Sequence, residues 1–239
     1  MPQHTPRTAT PEQLEKIGAL AASLVHPGDR VGLGSGRAAL AFVRQLGRRV
    51  CQEKLAIIGV STSLLTEKVA REAGVPLKTL DEVDYLDIAV DGADEVDDQL
   101  NLIKGGGGNL TREKVVESIA QRLVIVVGQE KIVEHLGVHF PVFVEVIAFA
   151  QPVVMRKLRA MGGHVTQRLN PDGTAFLTDN HNPYLQVRFG TAPSHIAEPA
   201  SLERAIRALP GVVETGLFIA MAHEVLIANC DGTITRRQA

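Results

Sequence analysis

One segment in the middle of the chain concentrates side chains that could carry out proton transfer. It reads DGADEVDDQLNLIKGGGGNLTREK and contains Asp91, Asp94, Lys104, the glycines 105–108 and Glu113. A carboxylate can remove a proton next to a carbonyl group, and a lysine together with backbone N–H groups can stabilise the oxygen that becomes negative. The alternative is a glycine-rich surface loop between solvated charges. The immediate succession of acids, lysine and glycines after an apolar strand favours the catalytic interpretation.

The elements predicted around this segment would place it at the edge of a sheet. The apolar run 88–90 predicts a buried strand that delivers the two aspartates to its carboxyl end, where open α/β sheets bind ligands. A helix is predicted from about 110 to 121, with Asn109 or Thr111 as its cap. A glycine loop that leads into a helix presents unpaired N–H groups, which suit an anion or an oxyanion.

A second glycine turn, GLGSGR, could bind phosphate. A short strand at 30–33 leads into Gly34-Ser35-Gly36-Arg37, and a helix is predicted from about 38 to 46. Strand, glycine turn and helix form the layout of a phosphate-binding βα unit. Ser35, Arg37 and the N–H groups of the turn could hold a phosphate dianion. The motif is neither GxGxxG nor a P-loop, so an ordinary tight turn is an equally good interpretation.

The order of the remaining elements indicates an α/β fold with a second lobe. Up to Lys131, apolar strands alternate with helices, which predicts a parallel sheet covered on both faces. Beyond Lys131 the pattern becomes antiparallel α+β. A closing hairpin is predicted at 224–236, either returning to the first domain or covering the second. The other predicted strands are 56–60, one from 75, 85–90, 123–127, 142–147, 164–169, 174–178 and 184–189. The other predicted helices begin near 11, 65, 151 and 201. Residues 1–9 are predicted to be a frayed tail.

Composition excludes several functional classes. The formal net charge is −2 and the pI is about 6.4, which gives no electrostatic case for binding nucleic acid or an anionic membrane. No apolar run reaches the roughly 20 residues of a membrane span, and the N-terminus lacks the apolar core of a signal peptide. Cys51 and Cys230 have no CxxC spacing and are predicted to be free thiols in a reducing cytoplasm. The eight histidines show no zinc-binding spacing.

Several segments together carry a family resemblance. They are GLGSGRAALAFV, STSLLTEKVAREAGVPL, DIAVDGADEVD, LIKGGGGNLTREK, FPVFVEVI, LTDN and PGVVETGLF. Over nearly its whole length the chain resembles the ribose-5-phosphate isomerase type A family, and the pair DGADE with KGGGGNLTREK is the most specific part of the match. The resemblance implies interconversion of ribose 5-phosphate and ribulose 5-phosphate in the pentose phosphate pathway, without metal or organic cofactor. It also implies a Rossmann-like domain, residues 1–136 and 223–239, with an inserted ferredoxin-like α+β lobe, 137–222, through which a homodimer or homotetramer would form.

The resemblance also implies roles for individual residues. Glu113 corresponds to the general base that moves a proton between C1 and C2, and Lys104 to the cation that stabilises the enediolate oxygen. Asp91 and Asp94 correspond to carboxylates that bind sugar hydroxyls and assist ring opening, and Lys131 to a lysine that contacts the phosphate. The other substrate contacts implied are Ser35, Gly36, Arg37, Ala38, Gly92, Ala93, Gly105, Gly106 and Gly107.

The phosphate turn departs from the family pattern. Family members usually carry a GTGST-type turn, whereas Arg37 and Ala38 replace the later Ser and Thr here. A guanidinium can bind phosphate through two N–H groups, so Arg37 could compensate; it could equally fill the pocket and weaken phosphate binding. Two alternatives therefore remain open: an isomerase for a different sugar phosphate, and a non-enzymatic sugar-phosphate sensor. The sensor is disfavoured by the negative charge and the short sequence before the first helix.

Overall fold

A computed structural model describes residues 8–189 and 195–239, and within it the chain forms two compact units. The first comprises Met1–Ala93, Val115–Ile132 and Ala222–Ala239, and the second comprises Asp94–Lys114 and Val133–Met221. Of the predicted tail, 1–9, residues 1–7 lie outside the described residues.

The elements alternate between helix and strand in the first half of the chain and become strand-rich in the second half. The helices are α1 Pro11–Ser23, α2 Gly36–Glu53, α3 Leu64–Glu72, α4 Leu110–Ser118, α5 Gln151–Ala160 and α6 Pro199–Arg207, with 3-10 turns at Leu80–Glu82, Gln129–Lys131 and Ala148–Ala150. The strands are β1 Arg30–Leu33, β2 Ile58–Ser61, β3 Ile88–Asp91, β4 Glu95–Val96, β5 Leu102–Ile103, β6 Leu123–Gly128, β7 Val142–Val146, β8 Gly163–Gln167, β9 Tyr184–Phe189, β10 Val212–Thr215, β11 Leu217–Phe218, β12 Glu224–Ala228 and β13 Ile234–Gln238.

The first unit contains the predicted Rossmann-like sheet. Its six strands run in the order β13-β12-β6-β3-β1-β2, and every neighbouring pair is parallel except β12 and β13. The prediction of an α/β fold is confirmed, and the closing hairpin belongs to this sheet rather than to the second unit. Strands β3 and β6 are buried along their whole lengths, which explains why they read as continuous apolar runs. The strand order places the carboxyl end of β3 next to that of β1.

Helix α1 begins as its sequence predicts. Thr10 accepts a hydrogen bond from the N–H of Gln13, the Gln13 side chain returns one to the N–H of Thr10, and Pro11 occupies the first helical position. Helix α2 is longer than the predicted 38–46 and ends where Lys54 adopts a left-handed conformation, with φ of 58°. The last buried residues of this helix are Leu46 and Gly47, so its final turns are largely at the surface.

The second unit is the antiparallel lobe. A four-stranded sheet runs β10-β7-β9-β8, and a separate three-stranded sheet runs β11-β5-β4. Val154 and Leu158 of α5 and Ile206 of α6 are fully buried apolar residues. The largest fully buried side chain, Tyr184, lies on β9.

Two predicted strands are wrong. Residues 174–178 form only isolated bridges, Leu169 with Ala175 and Leu177 with Pro183, because side-chain turns at both ends interrupt the ladder. The strand predicted from residue 75 is reduced to one bridge between Gly59 and Leu77, since Pro76 has no N–H to continue a ladder.

The compact units differ from the predicted domains in one respect. The breaks at 132/133 and 221/222 lie near the predicted boundaries at 136 and 223, but the segment Asp94–Lys114 groups with the second unit by its contacts. This segment contains three of the four predicted catalytic residues. The division into a Rossmann-like catalytic domain, 1–136 and 223–239, and a smaller lobe, 137–222, stays a prediction.

Candidate active site

The second unit contains a buried ion pair between two of the predicted catalytic residues. The Lys104 Nζ lies 3.3 Å from the Glu113 Oε2, and the two side chains are 2% and 7% exposed. The Lys104 ammonium also lies 5.3 Å from the centre of the Phe218 ring. A carboxylate and an ammonium in contact inside a protein interior provide a proton acceptor and a positive charge within one small volume.

Short strands and a helix start hold this pair in place. Lys104 follows β5, and its N–H donates to the Gly216 carbonyl oxygen at 2.9 Å. Glu113 lies in the first turn of α4, where its N–H donates to the Asn109 carbonyl oxygen at 3.0 Å. Asn109 directly precedes the helix, as predicted for a cap. The other proposed cap, Thr111, instead directs its hydroxyl to the Glu145 carboxylate at 2.6 Å.

Asp94 is bonded to the glycine loop. Its Oδ2 accepts a hydrogen bond from the Gly106 N–H at 2.7 Å, and its own N–H donates to the Ile103 carbonyl oxygen at 2.7 Å. The second predicted carboxylate therefore fixes one peptide of the loop that follows Lys104.

Protein contacts explain three of the four glycines in the loop. A Cβ at Gly105 would lie 2.4 Å from the Tyr184 Oη, and one at Gly106 would lie 2.7 Å from the Asp94 Oδ1. A Cβ at Gly108 would lie 2.4 Å from the Phe176 ring, and both Gly105 and Gly108 have positive φ. Gly107 is different, because its nearest neighbour would be the Asn109 amide at an ordinary 3.5 Å. The expectation that glycines let a ligand approach the backbone therefore applies best to Gly107.

Tyr184 and Arg168, which the sequence did not single out, hold the carbonyl groups of this loop. The Tyr184 hydroxyl donates to the Gly105 oxygen at 2.6 Å, and the Arg168 Nη1 donates to the Gly106 oxygen at 2.8 Å. Burial raises the pKa of Tyr184 well above 10.0, and the charges of Glu113 and Asp94 raise it further. Its hydroxyl therefore stays protonated and remains a donor at neutral pH.

A buried carboxylate, Glu145 of β7, anchors the turn near the start of α4. Its Oε1 accepts hydrogen bonds from Thr178, Asn180 and Asn182 at 3.0, 3.2 and 2.8 Å, and its Oε2 accepts one from Thr111. Glu145 is fully buried, so these neutral donors replace the water it has lost. The turn 178–182 is thereby fixed to the helix that carries Glu113.

The same turn also contacts Arg112. The Arg112 Nε donates to the Asn180 Oδ1 at 2.8 Å, and its Nη2 donates to the Asp179 carbonyl oxygen at 2.9 Å. The segments FPVFVEVI and LTDN, which contributed to the family resemblance, are thus connected to the first turn of α4. The sequence therefore showed that these segments match the family, but it did not show that they contact the helix that carries Glu113.

A second buried lysine, Lys114, was not predicted. Its Nζ donates to the Glu214 carboxylate at 2.9 Å and to the carbonyl oxygens of Thr215 and Leu217 at 2.6 and 2.9 Å. Burial lowers the pKa of Lys114, and the charge of Glu214 opposes this effect. Its three N–H donors all have protein acceptors, which indicates a structural role.

In the first unit, Asp91 lies at the carboxyl end of β3, as predicted. Its Oδ1 accepts hydrogen bonds from the N–H groups of Ser35 and Gly92 at 2.8 and 2.6 Å. A Cβ at Gly34 would lie 2.2 Å from the Asp91 Cγ, so only glycine fits there. The structure thus brings together the end of β3 and the predicted phosphate turn.

The hydroxyl of Ser35 points into a cluster of other hydroxyls. Its Oγ lies 2.9 Å from Thr62 Oγ1, 2.9 Å from Ser63 Oγ and 3.2 Å from Thr66 Oγ1. Ser63 also caps α3, the helix predicted near 65, by accepting from the Thr66 N–H at 3.0 Å. Ser35 precedes α2 without a side-chain cap, so its hydroxyl serves the contact between the two segments.

The remaining predicted contacts of the first unit lie at the ends of elements. Gly36 and Arg37 are exposed in the first turn of α2, and Ala38 is half-buried there. Lys131 is half-buried at the end of the 3-10 turn after β6. Gly92 and Ala93 follow β3 and are half-buried.

Metal binding and membrane insertion are two further possibilities for residues 8–189 and 195–239. No group of three or more His, Cys, Asp or Glu side chains in these ranges is arranged to hold a metal ion. The helices in the same ranges are all too short or too polar to cross a membrane.

A buried carboxylate beside an ammonium and a rigid glycine loop is the arrangement of a proton-transferring enzyme. The model of the family described as ribose 5-phosphate isomerase A (phosphoriboisomerase A) matches residues 58–232. A ribose-5-phosphate isomerase A of Thermomicrobium roseum is 46% identical over 219 residues, covering 91% of this chain and 90% of the relative. The chain therefore belongs to the ribose-5-phosphate isomerase A family.

Two solved structures are similar to this chain over nearly its whole length. The ribose 5-phosphate isomerase A of Methanocaldococcus jannaschii is 38% identical and superposes with a TM-score of 0.90, covering 97% of this chain and 100% of that one. A D-ribose-5-phosphate isomerase in complex with phospho-erythronic acid is 32% identical, with a TM-score of 0.91 and the same coverage of both chains.

Proposed function

We propose that this protein interconverts D-ribose 5-phosphate and D-ribulose 5-phosphate, with Glu113 as the general base. The observation that carries the proposal is the buried contact of 3.3 Å between Lys104 and Glu113 in a chain of this family. The activity belongs to the non-oxidative pentose phosphate pathway.

The proposed reaction is a proton transfer through an enediolate. The Glu113 carboxylate removes the C2 proton of the open-chain aldose, and the electron pair of that C–H bond forms the C1–C2 double bond while the C1 carbonyl oxygen becomes negative. Lys104 stabilises this oxygen, and so does a backbone N–H group of the glycine loop, residues 105–108. Glu113 then returns the proton to C1, and the O2 proton passes to O1 as the C2 carbonyl forms, so that the product is neutral at both oxygens and no redox partner is needed.

The other predicted residues have supporting roles in the proposal. Asp94, held by the Gly106 N–H, and Asp91, held by the Ser35 N–H, keep their carboxylates in fixed orientations suited to hydroxyl groups of a sugar. The first turn of α2, with Arg37, provides N–H groups and a cation for the phosphate, and Lys131 provides a second cation. These assignments rest on the family resemblance together with the positions of the residues within their own units.

The test is isomerisation of ribose 5-phosphate by the purified protein after EDTA treatment, beside the variant Glu113→Gln. We expect wild-type turnover without added metal and a loss in kcat of at least about 100-fold in the variant, the usual scale for a general base. Glu67→Gln is a matched control, because Glu67 also lies in the first turn of a helix but pairs with Arg71 at the surface. Equal activity in wild type and Glu113→Gln would contradict the role of Glu113.

One observation favours a different sugar phosphate as the substrate. The Ser35 hydroxyl is directed to Thr62, Ser63 and Thr66, and Arg37 and Ala38 replace hydroxyl residues of the family turn. A panel of pentose and hexose phosphates separates the two functions by kcat/KM. An inactive protein that still binds phospho-erythronic acid, the ligand of the related structure, would favour a sensor.

We also propose a cytoplasmic homodimer or homotetramer that forms through the second unit. Both cysteines are free and exposed, which fits a reducing compartment. The second unit exposes the apolar side chains of Ile147, Val153 and Phe149, and Phe149 is 95% exposed. Light scattering of the purified protein would measure the number of subunits.

A further inference from the structure

The orientation of one peptide group in the glycine loop is set by Arg168. The Arg168 Nη1 donates to the Gly106 carbonyl oxygen at 2.8 Å, and its guanidinium lies 4.2 Å from the centre of the Phe176 ring. The backbone of Arg168 is also fixed, because its N–H donates to the Tyr184 carbonyl oxygen at 2.8 Å and its own carbonyl oxygen accepts from the Phe176 N–H at 3.0 Å. The guanidinium is therefore held in one position by stacking and by its backbone.

The position of this carbonyl determines where the next N–H points. In a planar trans peptide the N–H points away from the C=O, so the Gly107 N–H is directed away from Arg168. The neighbouring N–H groups of the loop are used within the protein, since Gly106 donates to Asp94 and Gly108 donates to Gly105. Gly107 is exposed, and within residues 8–189 and 195–239 its N–H has no hydrogen-bond acceptor. The Cβ position of Gly107 is also open.

We propose that Arg168 is a positioning residue of the isomerase, which directs the Gly107 N–H at the substrate oxygen that becomes negative in the enediolate. This inference rests on the proposed isomerase function. A charged donor on the Gly106 oxygen also polarises the peptide, which makes the Gly107 N–H a stronger donor. The effect is largest when the substrate oxygen carries negative charge, so Arg168 acts on the chemical step more than on substrate binding.

The surroundings of Arg168 allow a chemical rescue experiment. Arg168 and Gly106 line a cleft of about 680 Å³ in the second unit, together with His139, Phe143, His164 and Arg188. Removing the Arg168 side chain would leave a space that is continuous with this cleft. A small guanidinium compound could then enter and donate to the Gly106 oxygen.

The experiment compares Arg168→Ala with Arg188→Ala. Arg188 lines the same cleft, is exposed and donates to the His139 carbonyl oxygen at 3.1 Å, so it is a matched control for loss of a guanidinium. We expect Arg168→Ala to lower kcat at least about 10-fold with KM changed by less than about 3-fold, because one oxyanion donor is misdirected rather than deleted. Methylguanidine at concentrations that do not unfold the protein should restore kcat with saturation, whereas Arg188→Ala should show wild-type kcat and no response.

A second measurement separates positioning from folding. The primary isotope effect with ribose 5-phosphate deuterated at C2 should increase in Arg168→Ala if proton abstraction has become slower. An unchanged isotope effect without methylguanidine rescue, or a wild-type kcat, would overturn the role of Arg168. If Arg168→Ala does not fold, Arg168→Lys takes its place, because an ammonium cannot reproduce the planar stack on Phe176. An isotope effect in Arg168→Lys equal to that of wild type would then overturn the proposal.

The two proposals fail in different ways. A wild-type protein that does not isomerise ribose 5-phosphate contradicts the proposed function. An active wild type whose rate is insensitive to Arg168 contradicts this inference alone.

Discussion

Two buried lysines of the second unit, Lys104 and Lys114, look alike in burial and in partner but differ in what surrounds the ammonium. Each pairs with a glutamate, and both approach the ring of Phe218, at 5.3 and 4.5 Å. Lys114 donates to one carboxylate and two backbone carbonyls, which uses all three of its N–H groups. Lys104 contacts its carboxylate at 3.3 Å and is followed directly by the glycine loop.

The difference shows that a buried ion pair does not by itself identify a catalytic residue. A lysine whose N–H donors are all used within the protein has none left for a substrate. The Lys114 pair therefore has a structural role, which is to connect α4 to the segment that includes β10 and β11. The neighbours of Lys104 are a helix start and a rigid loop, the elements that stabilise negative charge. Variants of the two pairs should therefore affect different properties of the protein.

The largest effect on stability is expected for Lys114→Met. This change leaves Glu214 buried without its lysine and removes the donor from the carbonyls of Thr215 and Leu217. We expect a loss of about 3 kcal/mol in the free energy of unfolding, at the lower end for a broken buried pair, because Arg207 lies 3.6 Å from the Glu214 Oε2. Urea unfolding measures this value, and kcat per folded molecule should stay within about 3-fold of wild type. A large loss of kcat in folded protein would remove the distinction between the two lysines.

The largest effect on activity after Glu113→Gln is expected for Lys104→Met. Loss of the cation beside the enediolate oxygen should lower kcat by about 100- to 1000-fold, which steady-state kinetics with ribose 5-phosphate measures. The double variants sharpen the comparison: Lys104→Met/Glu113→Gln should recover stability relative to Lys104→Met alone, because both members of the pair then lose their charge together. Lys114→Met/Glu214→Gln should remain destabilised, since two buried carbonyls still lack a donor. Equal stability of the two double variants would refute this distinction.

A smaller effect is expected for Tyr184→Phe, and it depends on pH. The folded protein raises the pKa of Tyr184 above 10.0, so the unfolded chain releases this proton first and the stabilising contribution is lost as pH rises above about 10. Near pH 8 the variant should be less stable by about 1 kcal/mol, the value of one buried hydrogen bond. Above pH 10 the gap between wild type and variant should close. Tyr85→Phe, at the other tyrosine, which is exposed, is the matched control for loss of a phenol hydroxyl.

The sequence predicted the parts of the fold and site that depend on neighbouring residues. The parallel sheet was indicated by its apolar runs, and Lys104, Glu113 and the glycine loop share one continuous segment whose motif is specific. The helix beginning near 11 was also predicted, because its capping box, Thr10 to Gln13, is local chemistry.

What the sequence did not predict depends on contacts between distant segments. Tyr184 and Arg168 reach the glycine loop across 79 and 62 residues, and Lys114 reaches Glu214 across 100 residues. Nothing in the segments around these residues indicates such partners. The strand predicted at 174–178 failed for a related reason, because its alternating pattern serves to place Phe176 against Gly108 rather than to extend a sheet.

The carboxylate of Glu145 has a consequence for the chemical ageing of the protein. Its acceptors are satisfied by the neutral amides of Asn180 and Asn182, and asparagine side chains slowly hydrolyse to aspartate. Hydrolysis at Asn180 would replace an N–H donor with a second negative charge beside a fully buried carboxylate, whereas Asn182 is protected because Pro183 has no N–H to attack its amide. The turn 178–182 would then separate from Thr111 and Arg112, next to Glu113, while the parallel sheet of the first unit remained unaltered. An old preparation would accordingly lose turnover before it lost its fold.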